Sequence, residues 1–542
     1  MIGRRTIRAR LRKRSDDVPL NCVLPGIGGR PGMGAALFLV RNYPQCRREL
    51  TGGVGNGSMK VTEYTPFFTS CAPYFCNPPR GNALLNSNSQ VSFYVIILLS
   101  LLSLAGCGGG SGGGNFQQQT VVAISGTPPS AIGVGANWQY TATVNGVASQ
   151  AVTWTISPKS AGTIDASTGL YIAPPAVPSP ATVTITATSQ ADTSQSASAS
   201  VTVQATDPLG TVSAVTTLPS CVGYSNWSLT PACYQMTVSC PGVADITTYL
   251  KVINPSGLPS GTVLFGVGTG GSGLYDDSQT YMYGYLVVEN VVNAGFNTVE
   301  VSFGGPFTSS QPNGWLQGPG GVRRLACRYA TVADWVYKNP TAINPNPNNT
   351  ATNSAPMCAT GNSGGSAAIA YGVYEYGLAS EFKMIEPTSG PVMTRIDQGC
   401  GICGTITGLN ACTNMQQDMC YSTGGTSGGD AAVIDEAYQS SGATTPTPCT
   451  DAINGTPAAA GLFLSDSILY QGSQAVSLAN LTINQLFGES DTSNAVPQGT
   501  LWNQYITPNP GLLCLPVPVA HDIPSFSTGA QQIATDIENG CK

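Results

Sequence analysis

One stretch limits the possible architecture more than any other. Pro356-Met357-Cys358-Ala359-Thr360 is small and apolar, Gly361-Asn362-Ser363-Gly364-Gly365 is a G-x-S-x-G, and Ala367-Ala368-Ile369-Ala370-Tyr371 has the composition of a helix. This predicts a strand that turns sharply into a helix with one serine at the apex. Such a turn needs neighbours nearly free of Cβ on both sides of the serine, or their side chains collide. The same geometry lifts Oγ above the sheet and aims a helix N-terminus at any oxyanion that develops there. In a chain with 65 glycines the motif alone is unspecific, and a plain glycine-rich turn is the competing interpretation. The residues C-terminal to the motif decide between them.

The chain contains a single histidine, His521. A serine nucleophile needs an imidazole to take its proton, so His521 is the candidate base. The acid is expected at the end of a strand between the two. Leu481-Thr482-Ile483-Asn484-Gln485-Leu486-Phe487 has strand composition, and Gly488-Glu489-Ser490-Asp491 comes directly after it, 30 residues before His521. Asp466 and Asp522 compete for the role, but Asp522 adjoins the histidine in sequence and Asp466 lacks a convincing strand before it.

The order Ser363, Asp491, His521 is that of α/β-hydrolases, and on these residues the segment 212–542 resembles that superfamily, its secreted esterases in particular. The resemblance implies an α/β fold with a mostly parallel sheet. It also implies an oxyanion hole built from the N–H of Gly364 and a second N–H in the glycine-rich loop after Thr262-Val263-Leu264-Phe265-Gly266-Val267. In that loop Thr269 or Gly270 is the expected donor. Many relatives carry a histidine before the loop's glycine, where this chain has Val267, so the donor stays open between the two. No cofactor and no metal are implied. The loop also lacks the lysine that a phosphate-binding loop would need.

The rest of the sheet is legible as alternation. Asn297-Thr298-Val299-Glu300-Val301-Ser302-Phe303 is a strand, and Val322, Leu325, Ala326, Tyr329, Val332, Trp335 and Val336 recur at helical spacing after it. Phe382-Lys383-Met384-Ile385-Glu386 is the strand after the elbow helix. Residues 390–450 then form a long cysteine-bearing insertion, expected to be a disulfide-stapled cap over the site.

Ahead of this segment, 120–204 carries four runs of alternating β-formers with turn residues between them, the pattern of a small all-β sandwich. Trp154, Gly162-Thr163-Ile164-Asp165, Gly169-Leu170-Tyr171-Ile172-Ala173-Pro174 and Val201-Thr202-Val203 make it resemble the bacterial Ig-like domains of surface proteins. That resemblance implies a spacer or weak binding module without chemistry of its own.

Charge and cysteine usage bear on the compartment. Residues 1–106 hold 13 of the 22 Lys+Arg and 4 of the 28 Asp+Glu, so the remainder has 9 basic against 24 acidic residues, a net charge of −15. Such a surface repels nucleic acid and anionic substrates. Twelve of the seventeen cysteines lie from Cys221 onward, an even number that suits up to six disulfides and an oxidising compartment. Cys400-Gly-Ile-Cys403 has the spacing of a zinc or redox pair, but no histidine lies near it and disulfides are expected instead.

At the start, 1–90 is basic and without hydrophobic periodicity, and is expected to be a non-native or disordered leader, with translation beginning at Met59 or nearer Val91. Segment 91–107 is expected to be a lipoprotein signal peptide. Its apolar run, Phe93 to Gly106, has 14 residues, short for a membrane span but suited to a signal. It ends in Leu104-Ala105-Gly106-Cys107, which looks like a lipobox with Cys107 as the lipidated residue, although no Lys or Arg lies between Arg80 and Cys107. Residues 108–119 are a Gly/Ser/Gln tether.

Together these features predict a serine carboxylic-ester hydrolase of the bacterial cell envelope, lipid-anchored or exported to the periplasm or exterior. It would act on neutral esters, apolar or polymeric ones included, and touch the membrane only through its anchor. A serine peptidase of the same fold and a non-catalytic surface binding protein are the alternatives. Tyr275 and Trp315 are expected near the mouth of the site. The anchor is checked by mass spectrometry of the native N-terminus: a lipidated Cys107 is expected, and an intact residue 1 or an unmodified Cys107 would refute it.

Overall fold

Residues that alternate along a strand must find two separate apolar environments when the strand is covered on both faces. In Thr262–Gly266 the side chains of Val263 and Phe265 enter one core cluster and Leu264 enters another. The structure, a computed structural model, describes residues 119–147, 149–304, 314–402, 412, 418–424, 429–439, 445–456, 460–470 and 476–542. The expected leader, signal peptide with Cys107, and nearly all of the tether lie outside the described residues.

Among the described residues, ten strands make the large sheet. In chain order they are β1 (Thr211–Leu218), β2 (Ala232–Ser239), β3 (Ile246–Ile253), β4 (Thr262–Gly266), β5 (Asn297–Phe303), β6 (Met357–Asn362), β7 (Phe382–Thr388), β8 (Thr482–Ile483), β9 (Leu486–Gly488) and β10 (Leu513–Leu515). Their spatial order is β1-β2-β3-β5-β4-β6-β7-β9-β10, with β8 also paired to β7. From β5 to β10 all neighbours are parallel, while β1, β2, β3 and β5 pair antiparallel at the other edge. The sheet is therefore mixed, and its parallel part carries the elbow.

The main helices are α1 (Gly284–Asn293), α2 (Cys327–Lys338), α3 (Gly364–Tyr374), α4 (Gly429–Tyr438), α5 (Ala495–Gln504) and α6 (Ser527–Gly540). Val287, Val288 and Val291 of α1 and Ile533, Ala534 and Ile537 of α6 cover the face holding Val263 and Phe265. Tyr329, Val332 and Val336 of α2 and the small residues of α3 cover the opposite face. Each large apolar side chain buried this way contributes about 1.5–3 kcal/mol.

Two predicted elements are interrupted. The expected strand 481–487 is the pair β8 and β9, because Gln485 turns its buried amide to the carbonyls of Gly390 and Gly499 instead of continuing the ladder. The expected helix 322–336 is a turn at Val322–Leu325 followed by α2.

Cys221–Cys233, Cys240–Cys327, Cys358–Cys541, Cys400–Cys449 and Cys412–Cys514 are joined as disulfides among the described residues. Cys400 of the Cys-x-x-Cys thus has a partner outside that motif. Cys358 of β6 is tied to Cys541 beyond α6 across a separation of 183 residues. Closing so long a loop removes roughly 5 kcal/mol of unfolded-chain entropy in the loop-closure account.

Residues 121–204 form a small all-β part around Tyr140, Trp154, Tyr171, Val183 and Val201. Val152–Ser157, Thr182–Ser189, Ser196–Gln204 and Ala131–Gly133 make a four-stranded sheet. The run 138–144 is divided between Asn137–Gln139 and Thr141–Asn145, which belong to different small sheets. This part is docked rather than strung on a loose linker. The Arg323 guanidinium, 2% exposed, pairs with Asp207 at 2.6 Å and Glu375 at 2.7 Å, and donates to the Val134 carbonyl at 2.8 Å. Asn137 donates to Asp466 at 2.6 Å, and the Arg324 guanidinium lies 4.4 Å from the Trp138 ring centroid.

Replacing Arg323 by Met would leave Asp207 and Glu375 buried without their cation. A loss of about 3–5 kcal/mol is expected, read as a lower denaturant midpoint; an unchanged midpoint would show that the docking does not depend on the pair.

Candidate active site

The strand–turn–helix expected around Ser363 is β6, a single-residue elbow and α3. Ser363 itself has φ 55° and ψ −115°, a conformation that L residues adopt only where the surroundings over-determine it. Those surroundings are backbone. A Cβ on Gly364 would lie 1.8 Å from the Thr269 carbonyl oxygen, and one on Gly365 would lie 2.8 Å from the carbonyl oxygens of Gly266 and Val267. Gly364 and Gly365 are thus required by the close approach of β4 and its loop, in addition to the turn.

That loop supplies amides. The N–H of Gly268 donates to the Tyr281 hydroxyl at 2.8 Å and that of Gly271 to the Gly268 carbonyl at 3.1 Å. Among the described residues no intramolecular acceptor meets the N–H of Thr269, Gly270 or Gly364. Thr269 has φ 51°, and its nitrogen would lie 3.0 Å from a Cβ placed on Gly364. The three amides named from the sequence are therefore uncommitted, and those of Thr269 and Gly364 lie close together. The loop is held from behind by Trp315, whose backbone N–H donates to the Gly270 carbonyl at 2.6 Å. Trp315 and Tyr275 are fully buried, at 1% and 0% exposure. Their expected place at the mouth is corrected: both pack into the interior.

Asp491 and His521 meet. Asp491 Oδ2 lies 3.1 Å from His521 Nδ1, with the Asp491 side chain fully buried and that of His521 one-third exposed, 33%. Backbone pairing holds the two loops together, Glu489 N–H to the Leu515 carbonyl and Ser490 N–H to the Val519 carbonyl, each at 2.8 Å. The histidine loop is tied to the elbow as well, since the Asn362 amide donates to Asp522 Oδ1 at 3.4 Å. The neighbours of Ser363 and His521 are thus bonded to each other. Asp466 stands elsewhere, bonded to Asn137 and Tyr438 at the docking face.

Burial pushes the His521 pKa down, but the hydrogen bond to Asp491 and its charge, joined by Asp522 and Asp430, more than offset this and raise it above 6.5. For Asp491 burial acts upward and is outweighed by the hydrogen bond and charge of His521 and by Ser493, so its carboxyl sits below the usual range. The pair favours a charged carboxylate beside an imidazole ready to hold a proton.

Two participants were not evident in the sequence. Ser493 bonds both Asp491 and His521, and Asp430 at the start of α4 accepts from the Asn494 amide at 3.0 Å. Ser493 lies two residues after Asp491, the spacing of an Asx turn, which was a usable signal; Asp430 offered none. Among the described residues the one group with metal-ligand composition is Cys412, Glu489 and Cys514, whose two sulfurs are joined to each other. No described helix is long and apolar enough to cross a membrane.

No family model matches this sequence, and no curated protein matches it. Among solved structures, similarity is found to an esterase of Pyrobaculum calidifontis, at 13% identity and TM-score 0.34, covering 57% of this chain and 84% of that one. A carboxyl esterase 2 of Tuber melanosporum is similar at 11% identity and TM-score 0.34, covering 59% and 90%. Est1E from Butyrivibrio proteoclasticus is similar at 11% and TM-score 0.30, covering 56% and 96%. At such identities and scores the likeness decides nothing about chemistry, which rests on the geometry above.

Proposed function

We propose that this chain is an α/β-hydrolase-type enzyme that cleaves carboxylic esters through an acyl-enzyme. The observation that carries the reading is the 3.1 Å contact of Asp491 with the chain's single histidine, on a loop bonded to the serine elbow. Ser363 Oγ attacks the ester carbonyl while His521 Nε2 takes its proton, and the carbonyl π electrons move onto oxygen. The N–H groups of Gly364 and of Thr269 or Gly270 receive that oxyanion. Collapse expels the alkoxide, which takes the proton from His521. Water then repeats the sequence on the acyl group and frees the acid. Asp491 keeps Nδ1 protonated and offsets the imidazolium charge.

Asp430, Asp491 and Asp522 all act on His521, and with the net charge of −15 outside the leader they disfavour anionic substrates and favour neutral esters. The disulfides accord with export. We read residues 120–204 as the Ig-like module, here a fixed shoulder on the catalytic part, residues 390–450 as the cap, and Cys107 as the envelope anchor.

A fluorophosphonate probe tests the reading directly: labelling of the wild type and none of Ser363→Ala is expected, and an unlabelled wild type would refute it. Parallel turnover of an activated ester and an activated anilide separates esterase from peptidase. Ser363→Ala and His521→Ala should each lower kcat at least ~10³-fold, with the double variant scarcely worse. Asp491→Asn should cost about 10³–10⁴-fold and Asp522→Asn much less.

The pH profile has a definite sign. His521 must be neutral to accept the proton, and its pKa is raised, so activity is lost as pH falls through that pKa. A single ascending limb in kcat/KM with its midpoint above 6.5 is expected. A midpoint below 6.5 would contradict the Asp491 contact.

A further inference from the structure

The Ser493 hydroxyl stands where its hydrogen-bond roles can be counted. Its Oγ lies 2.7 Å from Asp491 Oδ1 and 3.0 Å from His521 Nδ1, and it accepts the Ala495 N–H at 3.3 Å. A hydroxyl has one proton and two lone pairs, and an ionised carboxylate can only accept. Asp491 is held ionised by its surroundings, so the single Ser493 proton goes to Asp491 Oδ1. Both lone pairs of Oγ then face donors, one the Ala495 N–H and the other His521 Nδ1. Nδ1 must therefore carry hydrogen. In a neutral imidazole that leaves Nε2 bare, the state a general base requires.

From this geometry we propose that Ser493 is a positioning residue. Its hydroxyl, locked to Asp491, rejects the His521 tautomer with a bare Nδ1 and provides a second acceptor that holds the ring plane. In the wrong tautomer Ser493 could bond Nδ1 only by withdrawing its proton from Asp491, leaving Oδ1 in the buried site with the Ser493 backbone N–H alone. That N–H reaches Oδ1 at 2.9 Å and survives substitution of the side chain. Ser493→Ala therefore removes the hydroxyl while the carboxylate keeps its backbone anchor.

The solitary histidine makes the test direct. In full-length protein labelled with [15N]histidine, both ring-nitrogen signals belong to His521. Above the ionisation of the ring, wild type and Ser493→Thr should show one protonated nitrogen at Nδ1 and one bare nitrogen at Nε2. In Ser493→Ala the Asp491 carboxylate alone still favours hydrogen at Nδ1, so a minor population of the other tautomer should move the two ring-nitrogen shifts measurably toward each other. The kinetic arm rests on the ester-hydrolase reading: kcat should fall about tenfold in Ser493→Ala with KM within twofold, and Ser493→Thr should recover most of it. A Ser493→Ala protein with the wild-type tautomer and wild-type kcat would overturn the proposal. So would a Ser493→Ala protein that loses stability but keeps the tautomer, since Ser493 would then act only in the turn before α5. If Ser493→Ala fails to fold, Ser493→Cys, with its weaker donor, replaces it in both arms. Should the wild type neither turn over esters nor react with fluorophosphonate, the ester reading fails while the NMR arm still decides the role of Ser493.

Discussion

The backbone conformation of Ser363 is the constraint on which the rest of the site depends. A serine at φ 55° and ψ −115° is strained on its own. It persists because β4 and its loop press against the elbow from one side, β7 receives the Ser363 N–H through the Thr388 carbonyl at 2.9 Å, and α3 begins immediately beyond. These contacts come from separate elements of the parallel part of the sheet. The elbow is therefore as rigid as the sheet itself, and the amides of Thr269 and Gly364 are brought beside each other by the same compression.

Asp491 and His521 are held differently. Neither lies within a long element: Asp491 comes after the three-residue strand β9, and His521 after a loop beyond β10. Short strands position poorly by themselves, so the two loops are laced by backbone bonds and by Ser493, and the Asn362–Asp522 bond joins them to the elbow. Burial of Asp491 would on its own favour a neutral carboxyl. The hydrogen bond and charge of His521, with the Ser493 donors, outweigh that burial, and the carboxylate in turn raises the basicity of the His521 ring.

Beneath the elbow the sheet holds a polar row within an otherwise apolar core. Lys251 pairs with Glu300, Glu300 with Phe265, Phe265 with Thr360 and Thr360 with Glu386 across five adjacent strands. Lys251 is ion-paired with Asp276, whose N–H donates to Glu300 at 2.8 Å. Burial pushes Glu300 and Glu386 well above the usual carboxyl range, which keeps uncompensated charge out of the core. The docking face with the β part adopts the opposite solution, pairing Arg323 with two acids.

The sequence alone determined the features that depend on local order. The elbow was legible because a serine between near-Cβ-free residues, flanked by strand and helix compositions, has few other uses. The meeting of Asp491 and His521 was legible because the chain has one histidine and the expected Ser, Asp, His order restricts its acidic partner. The alternation of strand-like and helix-like segments located β4, β5, β6 and β7 within a residue or two. Tertiary structure decided the features that depend on register and approach. Whether Tyr275 and Trp315 face solvent or the core, which cysteine partners Cys400, and that Lys251, Glu300, Thr360 and Glu386 share one row are set by residues distant in the chain. The same holds for Ser493 and Asp430 beside His521. Local sequence states which residues can turn or pair; only the closed sheet, by bringing separate strands to the same height, states which of them meet.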